Sequence, residues 1–467
     1  MTKLRFFNTF SASVEDFIPI ETGKVKMYVC GITPYDKSHL GHARCYVVFD
    51  SIRRFLEYSG YEVDYIQNFT DIDDKIIQKA HSTNSTPLDI SNKYIEDFLL
   101  NCKNLNIKPA KIYPKVTEHI SEIIETIKTL VSKGFAYESD GDVYFSVKKF
   151  TNYGKLSKRN IEELIVGARV ASGEKKHDPL DFALWKNSKP EEPFWESPWG
   201  KGRPGWHIEC SSMSMHEINR ETLDIHGGGQ DLIFPHHENE IAQSEASTGK
   251  PFAKYWIHNG FVTINKEKMS KSLGNFFALD DIFAKFDPMV VRLFLLSQHY
   301  RTPLDFSDSK LYQSKNTWDR IKGAKQIAET LINILSESNI NEKNKNYADM
   351  LSTNFSDCLN NDFNTSEAFA VIHNIANTLY SFEQDKSNEI NRKTVEYYLS
   401  KLIETCNVLG LVFPDNQTNL QLQDLVTQRE IARKNKDFKK ADSIRKEIDL
   451  LGYTVEDTPH GPRTKHK

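Results

Sequence analysis

The stretch Met27 to Arg44, MYVCGITPYDKSHLGHAR, decides the fold. Met27, Tyr28 and Val29 form a short apolar run that reads as a buried strand. Pro34 breaks it into a turn, after which Leu40, Ala43, Tyr46, Val47 and Ile52 recur at helical spacing. This strand–loop–helix order puts Cys30 at the strand end and His39, Leu40, Gly41 and His42 at the helix start. Unpaired backbone N–H groups and the helix dipole favour an anion there, and a phosphate is the natural occupant.

Outward from this unit, residues 62–68 (EVDYIQN) read as a second strand, followed by a loop from Thr70 to Asp74 and a helix from Lys75 to His81. Alternating β and α elements over residues 24–120 predict a parallel doubly wound sheet, with its ligand crevice at the carboxyl ends of the strands. Cys30 and Thr70 both follow strands. Asp71, Asp73 and Asp74 suit helix capping better than a cation site. Upstream, Phe6, Phe7, Phe10 and Phe17 belong to a leader that packs on the domain edge. Pro114 to Lys133 reads as an amphipathic helix, and Asp140-Gly141 as the turn of a hairpin between residues 136–137 and 142–146. The polar stretch 150–204, with Trp185, Trp195 and Trp199, reads as an insertion. Alternation returns at residues 205–210 (GWHIEC), read as a strand ending on Cys210, and at Leu223 to His226, a strand leading into Gly227-Gly228-Gly229. Pro235, favoured at a first helical position, is expected to start a helix from His236 to Thr248. Beyond residue 310 the repeats Trp318, Ile321, Ala324, Ala328, Leu331, Leu335 and Ala368, Ile372, Ile375, Leu379 predict the core of a helical bundle.

Composition narrows the class. A chain of 467 residues exceeds what one core supports, so several domains are expected, and 39% hydrophobic with 27% charged residues is a globular composition. No apolar run approaches a membrane span, and Met1 to Asn8 lacks the apolar core of a secretory signal, so a cytoplasmic location is expected. The net charge of -4 excludes a protein that coats nucleic acid nonspecifically. Residues 425–467 carry 11 Lys/Arg against 7 Asp/Glu, which fits either a solvated charged helix or a phosphate-facing surface. The six cysteines are too scattered for a disulfide framework, which raises metal or catalytic use.

Two further constellations carry chemistry. In Pro235-His236-His237-Glu238-Asn239-Glu240, His236 is four residues and His237 three residues from Glu240, so either can pair with it on one helix face. With Cys30 and Cys210 these make a four-donor site, whose thiolates favour zinc over magnesium or calcium. In residues 266–275 (KEKMSKSLGN), three lysines and two serines around a Gly-Asn turn can bring positive charge to a polyphosphate.

His39-Leu40-Gly41-His42 resembles the HIGH motif of class I aminoacyl-tRNA synthetases, and Lys268-Met269-Ser270-Lys271-Ser272 matches their KMSKS motif letter for letter. Tyr28-Val29-Cys30-Gly31, residues 205–210, Asp224-Ile225-His226-Gly227-Gly228-Gly229 and Phe234 to Glu240 resemble the cysteinyl-tRNA synthetase family, and the similarity runs nearly end to end, to Thr458-Pro459. The resemblance implies ATP-dependent ligation of L-cysteine to tRNA(Cys) through cysteinyl-adenylate. It implies one zinc ion on Cys30, Cys210, His236 and Glu240, and magnesium accompanying ATP. It gives His39, His42, Lys268 and Lys271 catalytic roles and places Gly41 with them at ATP. It places Cys30, Gly31, Thr70, Trp206 and His226 at the amino acid. For Asp231, contact with the ATP ribose stands beside turn capping.

The implied fold class is α/β: an interrupted Rossmann-type doubly wound parallel sheet, then an α-helical bundle and a small C-terminal α+β domain. The expected divisions are 1–120 and 205–255 for the two sheet halves, 121–204 for the connective insertion and 256–315 for the stem-contact region with the KMSKS loop. Residues 316–410 form the tRNA-binding bundle and 411–467 the anticodon-binding domain, in a chain expected to be monomeric with no membrane contact. A relative that joins cysteine to an amino sugar shares the core but lacks the anticodon region, so residues 410–467 speak against it. A scaffold without activity would have no need of the lysines and metal donors. The family commonly closes with Gly-Thr and a tryptophan, whereas this chain ends GPRTKHK with no tryptophan after Trp318. Base stacking on an aromatic is therefore not expected there, while Arg463 and the lysines remain suited to phosphates.

Overall fold

The computed structural model describes residues 3–160, 175–265, 267–268, 277–385, 390–414, 420–458 and 461–466. The leader is more regular than its sequence suggests: β1 (Arg5–Asn8) and β2 (Ser13–Asp16) pair as an antiparallel hairpin. Phe6 and Phe17 are buried edge to face, with ring centroids 5.7 Å apart. Each strand has four residues, too few for a period of two to stand out.

β3 (Lys24–Ile32) leads into α1 (Leu40–Tyr58) and then β4 (Glu62–Phe69), as the opening stretch predicts. These begin a four-stranded parallel sheet of order β10-β9-β3-β4, completed by β9 (Leu223–Gly229) and β10 (Ala253–Asn259). The chain leaves β3 toward β4 on one side and returns through β9 on the other, so the crevice opens where the strand order reverses, at the carboxyl ends of β3 and β9. Helix α1 packs on this sheet and buries Val47, Phe49, Ile52, Phe55 and Leu56. Full burial of a side chain of this size contributes about 1.5–3 kcal/mol. A Cβ at Gly227 would lie 2.3 Å from Phe49, so glycine is what lets α1 pack this closely on β9.

After β4 come α2 (Asp74–Ser82), α3 (Pro87–Asn104) and α4 (Ile120–Ser132). Asp73 caps α2 by accepting from the Lys75 N–H at 2.8 Å, Asp71 accepts from Thr117, and Asp74 pairs with Lys186 at 3.0 Å and with Arg203, so all three aspartates have structural partners. Helix α4 begins later than its apolar repeat suggested, because residues 116–118 form a separate 3₁₀ turn. The insertion is a second sheet, antiparallel, of β5 (Ala136–Ser139), β6 (Asp142–Phe145), β7 (Phe182–Asn187) and β8 (Gly202–Pro204). Asp140 and Gly141, both with positive φ, make the expected hairpin turn.

Two expectations are corrected here. Residues 206–210 are not a strand: α5 (Trp206–Ile218) starts at Trp206, and Cys210 lies on its second turn. The alternation of GWHIEC mimics a strand, but Ser211, Ser212, Met213 and Ser214 are buried too, and a helix enclosed by neighbours loses the polar stripe that would betray its period. Likewise, α6 (Glu238–Thr248) starts three residues after Pro235, behind a wider turn over Ile233–His237 in which Phe234 is extended.

Beyond β10, β11 (Val262–Ile264) pairs with β12 (Glu267–Lys268), and α7 (Leu279–Phe283), α8 (Pro288–Leu296) and β13 (Leu304–Phe306) follow. Two buried arginines tie α1 to this region. Arg44 donates to the carbonyl of Leu295 and to those of His299, Tyr300 and Thr302 at 3.1–3.4 Å. Burial without a carboxylate partner draws its guanidinium down to about 10. Arg292, on α8, pairs with Asp50 of α1 and donates to the Leu105 and Leu409 carbonyls, both at 2.7 Å.

The chain divides into two compact units. One comprises residues 1–315, 356–368 and 408–410, and the other residues 316–355, 369–407 and 411–467. The second is helical: Trp318, Ile321, Ala324, Ala328 and Leu331 are buried on the helix Asp308–Ile334, and Trp318 stacks on Phe413 with centroids 5.2 Å apart. Its final segment has two helices, Leu420–Lys434 and Phe438–Leu450, where the sequence reading had one, followed by the hairpin Tyr453–Thr458 with Gly461–His466. Lys436, at φ 59°, makes the break. Arg429 is buried and grips Asp457 at 2.9 and 3.1 Å, and Arg433 also pairs with Asp457, so part of the local basic excess is neutralised internally.

Asp50 supplies a stability prediction. Burial would raise its pKa, but the charges of Arg292 and Arg54 outweigh burial and hold it below the usual carboxylate range. A depressed folded-state pKa gives stability that is fully present above the unfolded value near 3.9 and is lost as pH falls through the folded value. Asp50→Asn leaves Arg292 buried beside a neutral amide, at an expected cost of about 3–5 kcal/mol in urea unfolding. The variant should also lose this share of the wild-type stability decline below about pH 4.

Candidate active site and metal centre

At the crevice, β3 delivers Cys30, α5 delivers Cys210, and the turn before α6 with its first residues delivers His236 and Glu240. All four are buried, and one ligand atom from each lies within 4.8 Å of the others. Cys30 Sγ is 3.8 Å from Cys210 Sγ and 3.4 Å from Glu240 Oε1, and His236 Nε2 is 2.9 Å from the same carboxylate oxygen. Gly31 follows Cys30 because a Cβ there would sit 1.5 Å from the Asn68 carbonyl oxygen. The alternative left open by spacing is visible too: His237 Nε2 is 3.9 Å from Glu240 Oε1, in a grouping with Cys30 and His226 that contains only one thiol.

The electrostatics suit a cation. Burial would raise Glu240, but His226 and His236 outweigh it and hold the carboxylate well below its usual range. Burial would lower His236, but Glu240 outweighs it and lifts the imidazole to about 10. Of the coupled thiols, Cys210 accepts a hydrogen bond from Cys30 and is drawn down to about 6, whereas burial pushes Cys30 up. Two sulfurs, an imidazole and a buried carboxylate form a soft, anionic donor set of the kind that zinc accepts and magnesium does not. The donor set therefore fits such a metal ion.

The surrounding histidines have orienting partners that the sequence did not disclose. His207 Nδ1 lies 2.9 Å from His236 Nδ1. Burial, and then the charge of His236, hold His207 well below its ordinary pKa, so it is the neutral acceptor and leaves His236 Nε2 toward Glu240. His226 donates through Nδ1 to the Tyr28 carbonyl at 3.0 Å and meets Glu240 Oε2 through Nε2 at 2.8 Å. His237 Nδ1 contacts His258 Nε2 at 2.8 Å, and His258 Nδ1 contacts Thr9. Nothing in the sequence singles out His207, which reads as part of a strand, or His258, and Tyr28 reads only as strand and motif; the orienting roles of all three come from the folded crevice.

Of the pocket candidates, Trp206 is exposed and tilts against His236, with centroids 4.4 Å apart. Thr70 is buried and donates to Glu209 at 3.2 Å. Asp231 is exposed, and its carboxylate lies over Gly229, where a Cβ would meet Oδ1 at 2.5 Å.

The helix start differs from expectation in one respect. His39 caps α1: its Nδ1 accepts from the N–H groups of Gly41 at 3.0 Å and His42 at 3.3 Å, and His42 Nδ1 accepts from the His39 N–H at 3.4 Å. These backbone donors are thus not open to an anion. With both Nδ1 atoms accepting, each proton sits on Nε2, and the stacked rings, 3.7 Å apart, present imidazole N–H groups instead. The KMSKS stretch, including Lys271, lies outside the described residues, as does the side chain of Lys268. Its far flank returns to the HIGH-type stretch: Leu279 N donates to Ser38 O at 3.0 Å, Ala278 bridges His39, and Lys37 pairs with Asp280 at 2.7 Å.

Capping and chemistry at His39 can be separated. His39→Ala should cost about 0.5–2 kcal/mol of stability, and His39→Asn, a strong cap, should restore most of it. Adenylate formation should remain depressed in both variants if the ring N–H contacts phosphate, which single-turnover kinetics would show.

Comparison with known proteins places this geometry. The model for the class I (C) tRNA synthetase catalytic domain matches residues 16–316, the DALR domain residues 354–413, and the cysteinyl-tRNA ligase anticodon binding domain residues 418–462. The cysteine–tRNA ligase of Caldicellulosiruptor saccharolyticus is 47% identical over 99% of both chains, and that of Endomicrobium trichonymphae is 50% identical over 98% of both. Among solved structures, Mycobacterium tuberculosis methionyl-tRNA synthetase with methionyl-adenylate superposes with a TM-score of 0.62 at 15% identity. That match covers 83% of this chain and 90% of that one, a likeness of fold. The match at residues 418–462 also answers the amino-sugar alternative. The chain belongs to the class I cysteine–tRNA ligase family.

Proposed function

We propose that this chain activates L-cysteine with ATP to cysteinyl-adenylate and pyrophosphate, then transfers the cysteinyl group to the 3′-terminal ribose of tRNA(Cys). The observation that carries this reading is the buried quartet Cys30, Cys210, His236 and Glu240 at the carboxyl end of the sheet whose next helix opens on His39 and His42.

A zinc ion held by the quartet would take the substrate sulfur as thiolate, favouring ionisation of a thiol with an ordinary pKa of about 8.5. Serine offers a harder and far less acidic hydroxyl, so a site built for sulfur rejects it without an editing domain. Trp206, Thr70, Gly31 and His226 line the amino acid. The substrate carboxylate attacks the α-phosphate in line, and no protein nucleophile is needed. His39 and His42 donate from Nε2 to the phosphates, Lys271 and Lys268 offset the charge that grows in the transition state, and Asp231 holds the ribose. Magnesium accompanies ATP.

Residues 1–120 and 205–255 form the catalytic domain around the insertion 121–204. Residues 256–315 carry the stem contact and the KMSKS loop, 316–410 the tRNA-binding bundle and 411–467 the anticodon contact, with phosphate contacts from Arg463 and its neighbouring lysines. No described helix is long and apolar enough to cross a membrane, and the reading places the protein in the cytoplasm as a monomer.

The test is ATP–pyrophosphate exchange with cysteine, serine and methionine. Cysteine should support exchange with kcat/KM about 10⁴ above serine. Cys210→Ser should lose both exchange and bound metal. Exchange driven by another amino acid, or none from metal-loaded protein, would sink the assignment.

A further inference from the structure

Away from the thiol centre, a second group of metal-ligating side chains joins α4 to α5. His119 immediately precedes α4 and Glu122 lies in its first turn, while His216 and Glu217 occupy the last turn of α5. One ligand atom from each of His119, His216 and Glu217 lies within 4.8 Å of the others. His119 is buried and its orientation is fixed: Nδ1 lies 2.7 Å from the Lys115 carbonyl, which can only accept, so Nδ1 carries a proton and Nε2 faces Glu217 Oε1 at 2.8 Å. The rings of His119 and His216 meet edge to face at 5.6 Å, and His216 Nε2 is 4.0 Å from Glu122 Oε1.

A His119–Glu217 ion pair accounts for the 2.8 Å contact. It does not call for a second imidazole and a second carboxylate at the same corner. A backbone carbonyl holding the Nδ1 proton of a histidine is the arrangement that orients Nε2 for a metal, which binds there as the proton shared with Glu217 leaves.

We propose that His119, His216 and Glu217, with Glu122 beside them, form a second site for a divalent transition-metal ion of the zinc class. Two imidazoles and a carboxylate select zinc, cobalt or nickel over magnesium and calcium. Bonds of about 2.0–2.2 Å put tetrahedral donors roughly 3.4 Å apart, so the His119–Glu217 pair, now 2.8 Å apart, must open slightly while His216 closes on it. His216, whose side chain is 52% exposed, is free to make its part of that adjustment, and the ion would take the place of the direct His119–Glu217 hydrogen bond. Three protein donors leave the fourth position to water. Occupancy clamps the first turn of α4 to the last turn of α5, the helix that carries Cys210, without using either thiol.

The test is titration of the metal-free full-length protein with Co²⁺ near neutral pH, alongside total zinc content after reconstitution. Wild type should take up two equivalents, one with an intense sulfur-to-metal charge-transfer band and one with weak d–d bands only. His216→Ala, a change at an exposed position, should keep the charge-transfer band and lose the second equivalent. Glu217→Gln should weaken the second equivalent at least about tenfold. A single equivalent in wild type, or a second equivalent bound equally well by His216→Ala, overturns the proposal. The thiol centre is read by its charge-transfer band and the second site by the equivalent that lacks it, so the two assignments fail separately.

Discussion

A fully buried carboxylate has to be compensated, and Glu240 shows how the catalytic unit is built around that constraint. Its oxygens meet His226 at 2.8 Å, His236 at 2.9 Å and Cys30 at 3.4 Å. These partners come from three different elements, and each must reach the crevice in a fixed orientation for the charge to be tolerated. The interior thus requires a set of donors whose natural complement is a soft cation. The same requirement explains the outer layer: His207 sets the tautomer of His236, the Tyr28 carbonyl sets that of His226, and these partners keep the donors in register.

The second constraint is mechanical. The HIGH-type helix has to hold its position against the sheet on one side and the segment after the KMSKS residues on the other. Gly227 gives the first by letting Phe49 approach β9, and Arg44 and Arg292 give the second by bonding backbone carbonyls across long sequence separations. A guanidinium can gather several carbonyl oxygens that no helix or strand satisfies, so it serves as a joint between elements rather than as a surface charge. The contacts of Ser38 and Lys37 with Leu279 and Asp280 extend the joint to the residues that follow the lysine-rich stretch. Residues separated by some 240 positions thereby meet where the phosphates of ATP are expected.

Local chemistry also reshaped the phosphate end. A helix start is ordinarily a source of free N–H groups, but here the side chain that begins the motif takes two of them. The backbone donors are thereby occupied and the imidazole edges are what the helix start presents, so His39 is a cap whose Nε2 remains for the phosphate role proposed for it. The C-terminal segment shows a similar economy of charge, since Asp457 holds Arg429 and Arg433 and leaves fewer cations for a partner than the composition implies.

Much of this was legible in the sequence. The β3–α1–β4 unit follows from apolar runs and a proline break, because strand and helix periods are local properties of the chain. The zinc-type donors and the two synthetase motifs follow from residue identity and the family resemblance. Three things were decided only in three dimensions. GWHIEC became a helix because its surroundings bury serines along with apolar residues, which erases the period that marks a surface helix. The helix after Pro235 started late because a wide turn is needed to bring His236 back to Glu240 while Glu238 accepts from the backbone of Gly154 and Ser157. Finally, spacing left His236 and His237 equal and the resemblance named His236 without a geometric reason; the folded crevice supplies that reason, placing His236 1 Å nearer to Glu240 and grouping it with both thiols. Sequence fixes which donors exist, but their angles and distances depend on contacts between segments about 200 residues apart, and no local pattern encodes those.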